Sequence, residues 1–422
     1  MGNRVTGQGA GRLRARARAS LALLCALGCL GSAAAPAAAD EADPPAELHA
    51  GQCNFPSKDI KGTPWPLQRL LFEEIWKDTK GKGVRIAVID SGVDKKNKQL
   101  ASAVAKGRDF VESGDGTKDP VGHGTKVAGI IAARPKDGTG FKGIAPEATI
   151  IPIRSHDAEG SGNVGRLVKA INYAVDLKVD IINISQGASA KLPPGNALEK
   201  AVQRAVREDI LIVASAGNEG ESGKVKETYP AAYDGVLGVA ASDRNNERAW
   251  FSQPGDFVDV AAPGVDIVST VPKGGHCLDS GTSFAAPYVT GVAALVRAKH
   301  PTWTSQEVIW HLQETAERAQ PDRNINIGWG VVDPMAALDD DTKPTGETKP
   351  DRNAIVDAEA AKKIHPAELT LSETPQERRA RYGIYVFGVG LFAVATIVGS
   401  ARAIRDWRRK HSPSTHGEAH NG

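Results

Sequence analysis

Four short motifs carry residue types that together could run nucleophilic acyl transfer. Ser283 lies in Gly281-Thr282-Ser283-Phe284-Ala285-Ala286-Pro287, pinned between small residues where a long apolar helical run begins. The free N–H groups of a helix N-terminus can stabilise negative charge there. A serine hydroxyl is a weak nucleophile by itself and needs a neighbouring base. His123, in Gly122-His123-Gly124-Thr125, places an imidazole in the first turn of the apolar stretch 126–133, between glycines that let other backbone approach. Asp90, in Val88-Ile89-Asp90-Ser91-Gly92-Val93-Asp94, ends an apolar β-run, where α/β folds place their chemistry. Asn218, in Ala214-Ser215-Ala216-Gly217-Asn218-Glu219-Gly220, follows the β-run 210–213 and offers an amide donor.

Each motif alone has an ordinary structural explanation. Ser and Thr cap helices, Asp and Asn form turns, and a lone His is more often a satisfied structural residue. In this order they are far more specific. Ser283 would attack a carbonyl, and His123 would take the hydroxyl proton and return it to the leaving amine. Asp90 would orient the imidazole, while Asn218 and the Ser283 backbone N–H would receive the oxyanion charge.

These residues need strand ends and helix starts to hold them, and the chain supplies both. Apolar β-runs at 83–89, 148–153, 181–184 and 210–213 alternate with helical patterns. One pattern runs through Val164, Leu167, Val168, Ile171 and Val175, and another through Leu198, Val202, Ala205 and Val206. Such alternation predicts an α/β fold with a mostly parallel sheet and helices on both faces. A long helix is expected over 285–299, a second after the capping-box pattern Thr304-Ser305-Gln306-Glu307, and closure of the domain by 328–333.

The order Asp…His…Ser, with the asparagine between His and Ser, is similar to that of the subtilases, over about residues 50–335. The resemblance implies a subtilisin-like serine endopeptidase with catalytic Asp90, His123 and Ser283 and an oxyanion hole at Asn218. It also implies substrate-binding segments at Ser185-Gln186-Gly187 and Ser215-Ala216-Gly217, against which an extended peptide or protein substrate would lie as an added strand. Gln186 is polar where many subtilases carry an apolar residue, so the side-chain preference stays open. No cofactor is expected. Subtilases often bind calcium, but no acidic cluster has convincing ligand spacing, and Asp109, Asp115 and Asp119 read as solvated loop charges.

The ends of the chain add an address. Residues 1–39 read as a secretory signal, with Arg4, Arg12, Arg14, Arg16 and Arg18 before an apolar core and Ala37-Ala38-Ala39 as the cleavage site. A lipoprotein reading at Cys29 and a myristoylation reading of the Met-Gly start fit less well. Removal of the signal leaves Cys53 and Cys277, an even pair in an exported protein, expected to form a disulfide. The loop-entropy account assigns so long a closure on the order of 5 kcal/mol. Residues 382–401 carry no charge and are long enough to span a bilayer. Arg402, Arg405, Arg408, Arg409 and Lys410 outnumber Arg378, Arg379 and Arg381, which puts the tail 402–422 in the cytoplasm and the domain 81–338 outside the plasma membrane. The segment 40–80 is an N-terminal extension, and 339–381, rich in Asp, Lys, Thr, Glu and Pro, reads as a flexible tether. A net charge of +2 gives no argument for a nucleic-acid partner, and none is expected.

Signal, extension with Cys53 and Trp65, subtilase core, tether and single span together resemble the mycosins, the membrane-anchored subtilases of type VII secretion. That resemblance implies the type VII secretion membrane complex as partner, a few secreted proteins as substrates, and an extension that wraps the catalytic domain. A general degradative cell-surface subtilase, and a chiefly structural subunit of the secretion complex, are the alternatives.

Overall fold

The computed structural model describes residues 53–157, 163–187, 192–350 and 375–410. The expected signal segment, most of the tether and the end of the tail lie outside them. Seven parallel strands form the sheet, in the order β2-β3-β1-β4-β5-β6-β7. They are β1 (Arg85–Asp90), β2 (Arg108–Asp109), β3 (Thr149–Arg154), β4 (Ile181–Ile184), β5 (Leu211–Ser215), β6 (Val236–Ser242) and β7 (Val260–Pro263). Among these strands, β1, β3, β4, β5 and β6 read as near-continuous apolar runs because side chains are buried on both faces. Ile86 and Val88 face one layer of the core with Val213 and Val239. Ala87 and Ile89 face the other with Ile182 and Ile212.

Two helices cover the second face: α4 (Val164–Asp176), capped by Asn163, and α5 (Ala197–Arg207), capped by Asn196. The first face carries α3 (His123–Ala132) and α6 (Thr282–Lys299). Every residue of α6 from Thr282 to Val296 is buried, which explains why its sequence is apolar all round instead of amphipathic. Thr290 Oγ1 donates to Asn183 Oδ1 at 2.8 Å and pins α6 to β4. The expected capping box is present on α7 (Ser305–Glu314), with Thr304 and Glu307 satisfying each other's backbone N–H groups. The hairpin β8 (Ile267–Thr270) and β9 (His276–Asp279) precedes α6. Ser269 and Thr270 donate their hydroxyls to the carbonyls of Lys126 and Thr125, tying β8 to the start of α3. The segment 328–333 closes the edge of β7, with Ala261 N donating to Gly330 O and Val332 N to Ala261 O.

The described part of the extension wraps this body. A disulfide joins Cys53 to Cys277, Ser57 N donates to Gly274 O, and His276 N donates to Lys58 O. Further on, α1 (Trp65–Gln68) and α2 (Phe72–Ile75) bury Trp65, Leu67, Phe72 and Ile75 in the first-face core. The indole N–H groups of Trp65 and Trp76 reach the carbonyls of Val265 and Ile144.

The start of the expected tether differs from its reading. After α8 (Pro334–Asp339) the chain stays docked through residue 349. Thr348 is buried and hydrogen-bonds Trp310 O and Gln313 Oε1, while Asp341 and Lys343 pair with Lys299 and Glu307. Charge-rich composition suggested solvation, but the charges find opposite partners on α6 and α7. The C-terminal unit, described by itself, is one helix, α9 (Pro375–Lys410). Within it Arg378–Arg409 is long and apolar enough to cross a membrane, the one such helix among the described residues.

Candidate active site

The strand order has a switch point at β1: the chain places first the outer strand β2 and then β3 on one side of β1, and crosses to the other side as β4. Open α/β sheets leave a crevice at the carboxyl ends of strands at such a point. Asp90 is the last residue of β1 and is fully buried. Its Oδ1 accepts from His123 Nδ1 at 2.8 Å and from Ser91 N at 2.7 Å. His123 opens α3 and keeps about a quarter of its side-chain surface exposed, so its ring bridges the interior and the crevice. The helix comes this close because residue 124 is glycine. A Cβ there would lie 2.0 Å from Gly92 O and 3.1 Å from Asp90 Oδ1.

Burial alone pushes the Asp90 carboxyl up. The His123 charge and hydrogen bond, with His156 behind them, overcome this and hold it below the usual carboxylate range. Burial likewise disfavours a charged His123, but Asp90 beside it, helped by Asp119, raises the imidazole above its ordinary value. The pair therefore favours a carboxylate facing a proton on Nδ1.

Ser283 sits in the first turn of α6, almost buried. The Phe284 ring beside it lies 5.3 Å from the His123 ring. Among the described residues no hydrogen bond joins Ser283 to His123; such bonds often tighten only when substrate binds. Asn218 is fixed by its carbonyl oxygen, which accepts from Thr282 N and Thr282 Oγ1, both at 2.9 Å. That leaves Nδ2 as the free end of the amide. A Cβ built on Gly281 would lie 3.1 Å from Ser283 Oγ and 3.4 Å from Asn218 Nδ2, so both groups border one small space.

The two expected substrate segments sit at the ends of β4 and β5, neighbours in the sheet. Ser185 is buried and accepts from Asn183 Nδ2, while Gln186 Nε2 donates to Ser155 Oγ at 2.7 Å. The amide side chain thus points into the protein's own hydrogen bonding, which accounts for a polar residue at that position. Ser215 and Ala216 are buried at the end of β5, and Gly217 turns the chain at φ +103°.

Four residues of this region escaped the sequence reading. Asp119 reads in the sequence as a solvated charge, but it is buried and accepts from Ser91 Oγ, Val121 N, Gly122 N, Thr125 N and Thr125 Oγ1. It clamps the N-terminus of α3 and so positions His123. Asp109 is partly buried and paired with Arg154 at 3.0 Å, and Asp115 accepts from Thr117. Thr282 orients Asn218, as described above. Thr228 stands between the two substrate segments: a Cβ on Gly187 would meet its Cγ2 at 2.4 Å, and one on Gly217 its Oγ1 at 2.8 Å. His156 packs edge-on to His123, with ring centroids 6.3 Å apart. No local pattern marked Thr228 or His156.

A parallel sheet with a buried Asp–His pair at its switch point, and a serine at the head of a buried helix, is a subtilisin-like fold and site. The chain belongs to the subtilase family, whose profile matches residues 81–330. It is 42% identical over 260 residues to Subtilisin E of Bacillus subtilis (strain 168), covering 61% of this chain and 66%, just under two thirds, of that protein. It is 35% identical over 378 residues to Mycosin-4 of Mycobacterium tuberculosis (strain ATCC 25618 / H37Rv), covering 80% of this chain and 81% of the other. Among solved structures it is similar to a chain of an intact ESX-5 inner membrane complex, with 30% identity and a TM-score of 0.63 over 83% of this chain and 92% of that one.

Proposed function

We propose that this protein is a mycosin-type endopeptidase, anchored by one C-terminal span, that cleaves proteins outside the membrane and associates with a type VII secretion membrane complex. The observation that carries the chemistry is the 2.8 Å bond between Asp90 and His123 Nδ1 at the head of α3. It leaves Nε2 as the proton acceptor. On substrate binding His123 takes the Ser283 proton as Oγ attacks the peptide carbonyl, and Asp90 steadies the imidazolium. Asn218 Nδ2 and the Ser283 backbone N–H receive charge on the tetrahedral oxygen. Collapse expels the amine with the proton from His123, and water then repeats the sequence on the acyl-enzyme. Ser185, Gln186 and Gly187 on one side and Ser215, Ala216 and Gly217 on the other hold the substrate backbone.

Ser283→Ala is expected to abolish labelling by a serine-directed fluorophosphonate, and labelling that persists would sink the assignment of the nucleophile. The similarity to Mycosin-4 and to a chain of the ESX-5 inner membrane complex supports the partner. Affinity capture of the membrane-embedded protein tests it: recovery without other secretion-complex subunits argues against it. The same similarity supports a scaffold role beside catalysis. A secretion defect in the deletion that is absent in Ser283→Ala would show that the scaffold dominates. The excess of basic residues after the span supports a cytoplasmic tail.

A further inference from the structure

We propose that Asp90, His123 and His156 form an inhibitory site for a divalent transition-metal ion, with Zn2+ the best-matched occupant. The three side chains each offer a ligand atom, and these atoms all lie within 4.8 Å of one another. His156 Nε2 is 3.7 Å from Asp90 Oδ1, too far for a hydrogen bond, while His123 Nδ1 is 2.8 Å from the same oxygen. A tetrahedral zinc ion with bonds of about 2.0–2.2 Å needs ligand atoms roughly 3.3–3.5 Å apart, so binding requires the 2.8 Å pair to open and the wider separations to close.

A second observation points to an unfilled role. Asp90 Oδ2 is buried without a hydrogen-bond partner on a side chain that is fully buried. Buried polar atoms are ordinarily paired, and orphans invite an explanation. Two imidazoles and one carboxylate suit zinc, whereas calcium and magnesium prefer all-oxygen sites. Three protein ligands leave a fourth position for water from the crevice, where His123 is exposed.

Inhibition follows from proton placement. The neutral His123 ring carries one proton, held on Nδ1 by Asp90 in the active arrangement. A zinc ion accepting the Nδ1 lone pair forces that proton to Nε2, with no net loss of protons from the ring. Nε2 then has no lone pair to accept the Ser283 hydroxyl proton, and Asp90 is spent as a metal ligand. His156 has no part in the acyl-transfer steps, so it is the residue whose replacement separates metal binding from catalysis.

The inference concerns the site proposed above, but its binding arm needs no turnover. Full-length, tag-free Ser283→Ala in detergent is titrated with Zn2+ by calorimetry, alone and with His156→Leu or His156→Gln. Wild-type protein is labelled with fluorophosphonate with and without Zn2+, then after EDTA. One zinc per chain is expected, with labelling lost in Zn2+ and restored by EDTA. Both His156 variants should bind zinc at least about tenfold more weakly. Each should need correspondingly more zinc to halve its own metal-free labelling rate. Equal zinc affinity in correctly folded His156 variants would overturn the assignment, as would Mg2+ or Ca2+ binding as tightly as Zn2+. If the variants misfold by circular dichroism, zinc-insensitive labelling of the wild type would by itself refute the site. If the wild type takes no label at all, the protease reading fails while the calorimetry still decides the metal site.

Discussion

Replacing Gly124 by alanine tests whether backbone packing sets the geometry of the site. On propensity alone the change should help, because alanine stabilises a helix interior over glycine by about 1 kcal/mol. The tertiary structure predicts the reverse. The new Cβ would start 2.0 Å from Gly92 O, and a real Cβ needs at least about 3.0 Å. The obstacle is backbone in the turn after β1, with no flexible side chain to swing away. The start of α3 must therefore lift by about 1 Å from the strand that carries Asp90. Misplacement of that size in a catalytic constellation costs on the order of 100-fold, or about 2.7 kcal/mol of transition-state stabilisation. The assay is kcat/KM on a fluorogenic peptide for which the wild type is active, with the melting temperature measured alongside. Gly62→Ala serves as control, because a Cβ there meets nothing within 4 Å. A Gly124→Ala enzyme within about threefold of wild type, with unchanged melting, would refute the reasoning.

Three other expectations rest on separate parts of the structure. Thr228→Gly should widen the space between Gly187 and Gly217, so competition between peptides with small and aromatic residues at the cleaved bond should shift toward the aromatic ones; an unchanged ratio would show that Thr228 does not limit the pocket. Burial pushes the Asp259 carboxyl up to about 6, while an unfolded aspartate titrates near 3.8. Between those values the folded state holds a proton that the unfolded state has lost, so this group's contribution falls as pH rises through the window, by on the order of 3 kcal/mol, and is flat above it. Denaturant melts of wild type and Asp259→Asn across that window should diverge accordingly, and parallel curves would contradict the assignment. Thr304→Ala removes the hydroxyl that accepts from Glu307 N, leaving only the residue 304 N–H donating to Glu307, and should cost about 1 kcal/mol in the same melts.

The sequence by itself determined the layer architecture and pointed to an acyl-transfer site. Asp90, His123, Asn218 and Ser283 stand at strand ends and helix starts that local pattern marks clearly, because buried parallel strands are apolar runs and α6 is apolar all round. Cys53 and Cys277 were legible as a pair once the cysteines of the expected signal segment were set aside. Tertiary structure alone decided what surrounds those groups. Asp119 looks like any loop aspartate until five donors converge on it. Thr228 and His156 reach the site from separate loops, after crossovers that carry no local signature. The charged stretch after α8 reads as solvated until Lys299 and Glu307 meet it. The physical reason is common to all of these. Periodicity and turn chemistry act over a few residues and are written locally, whereas the partners of a buried polar group are chosen by topology. What Asp90 orients could be read along the chain; what else lies beside Asp90 required the fold.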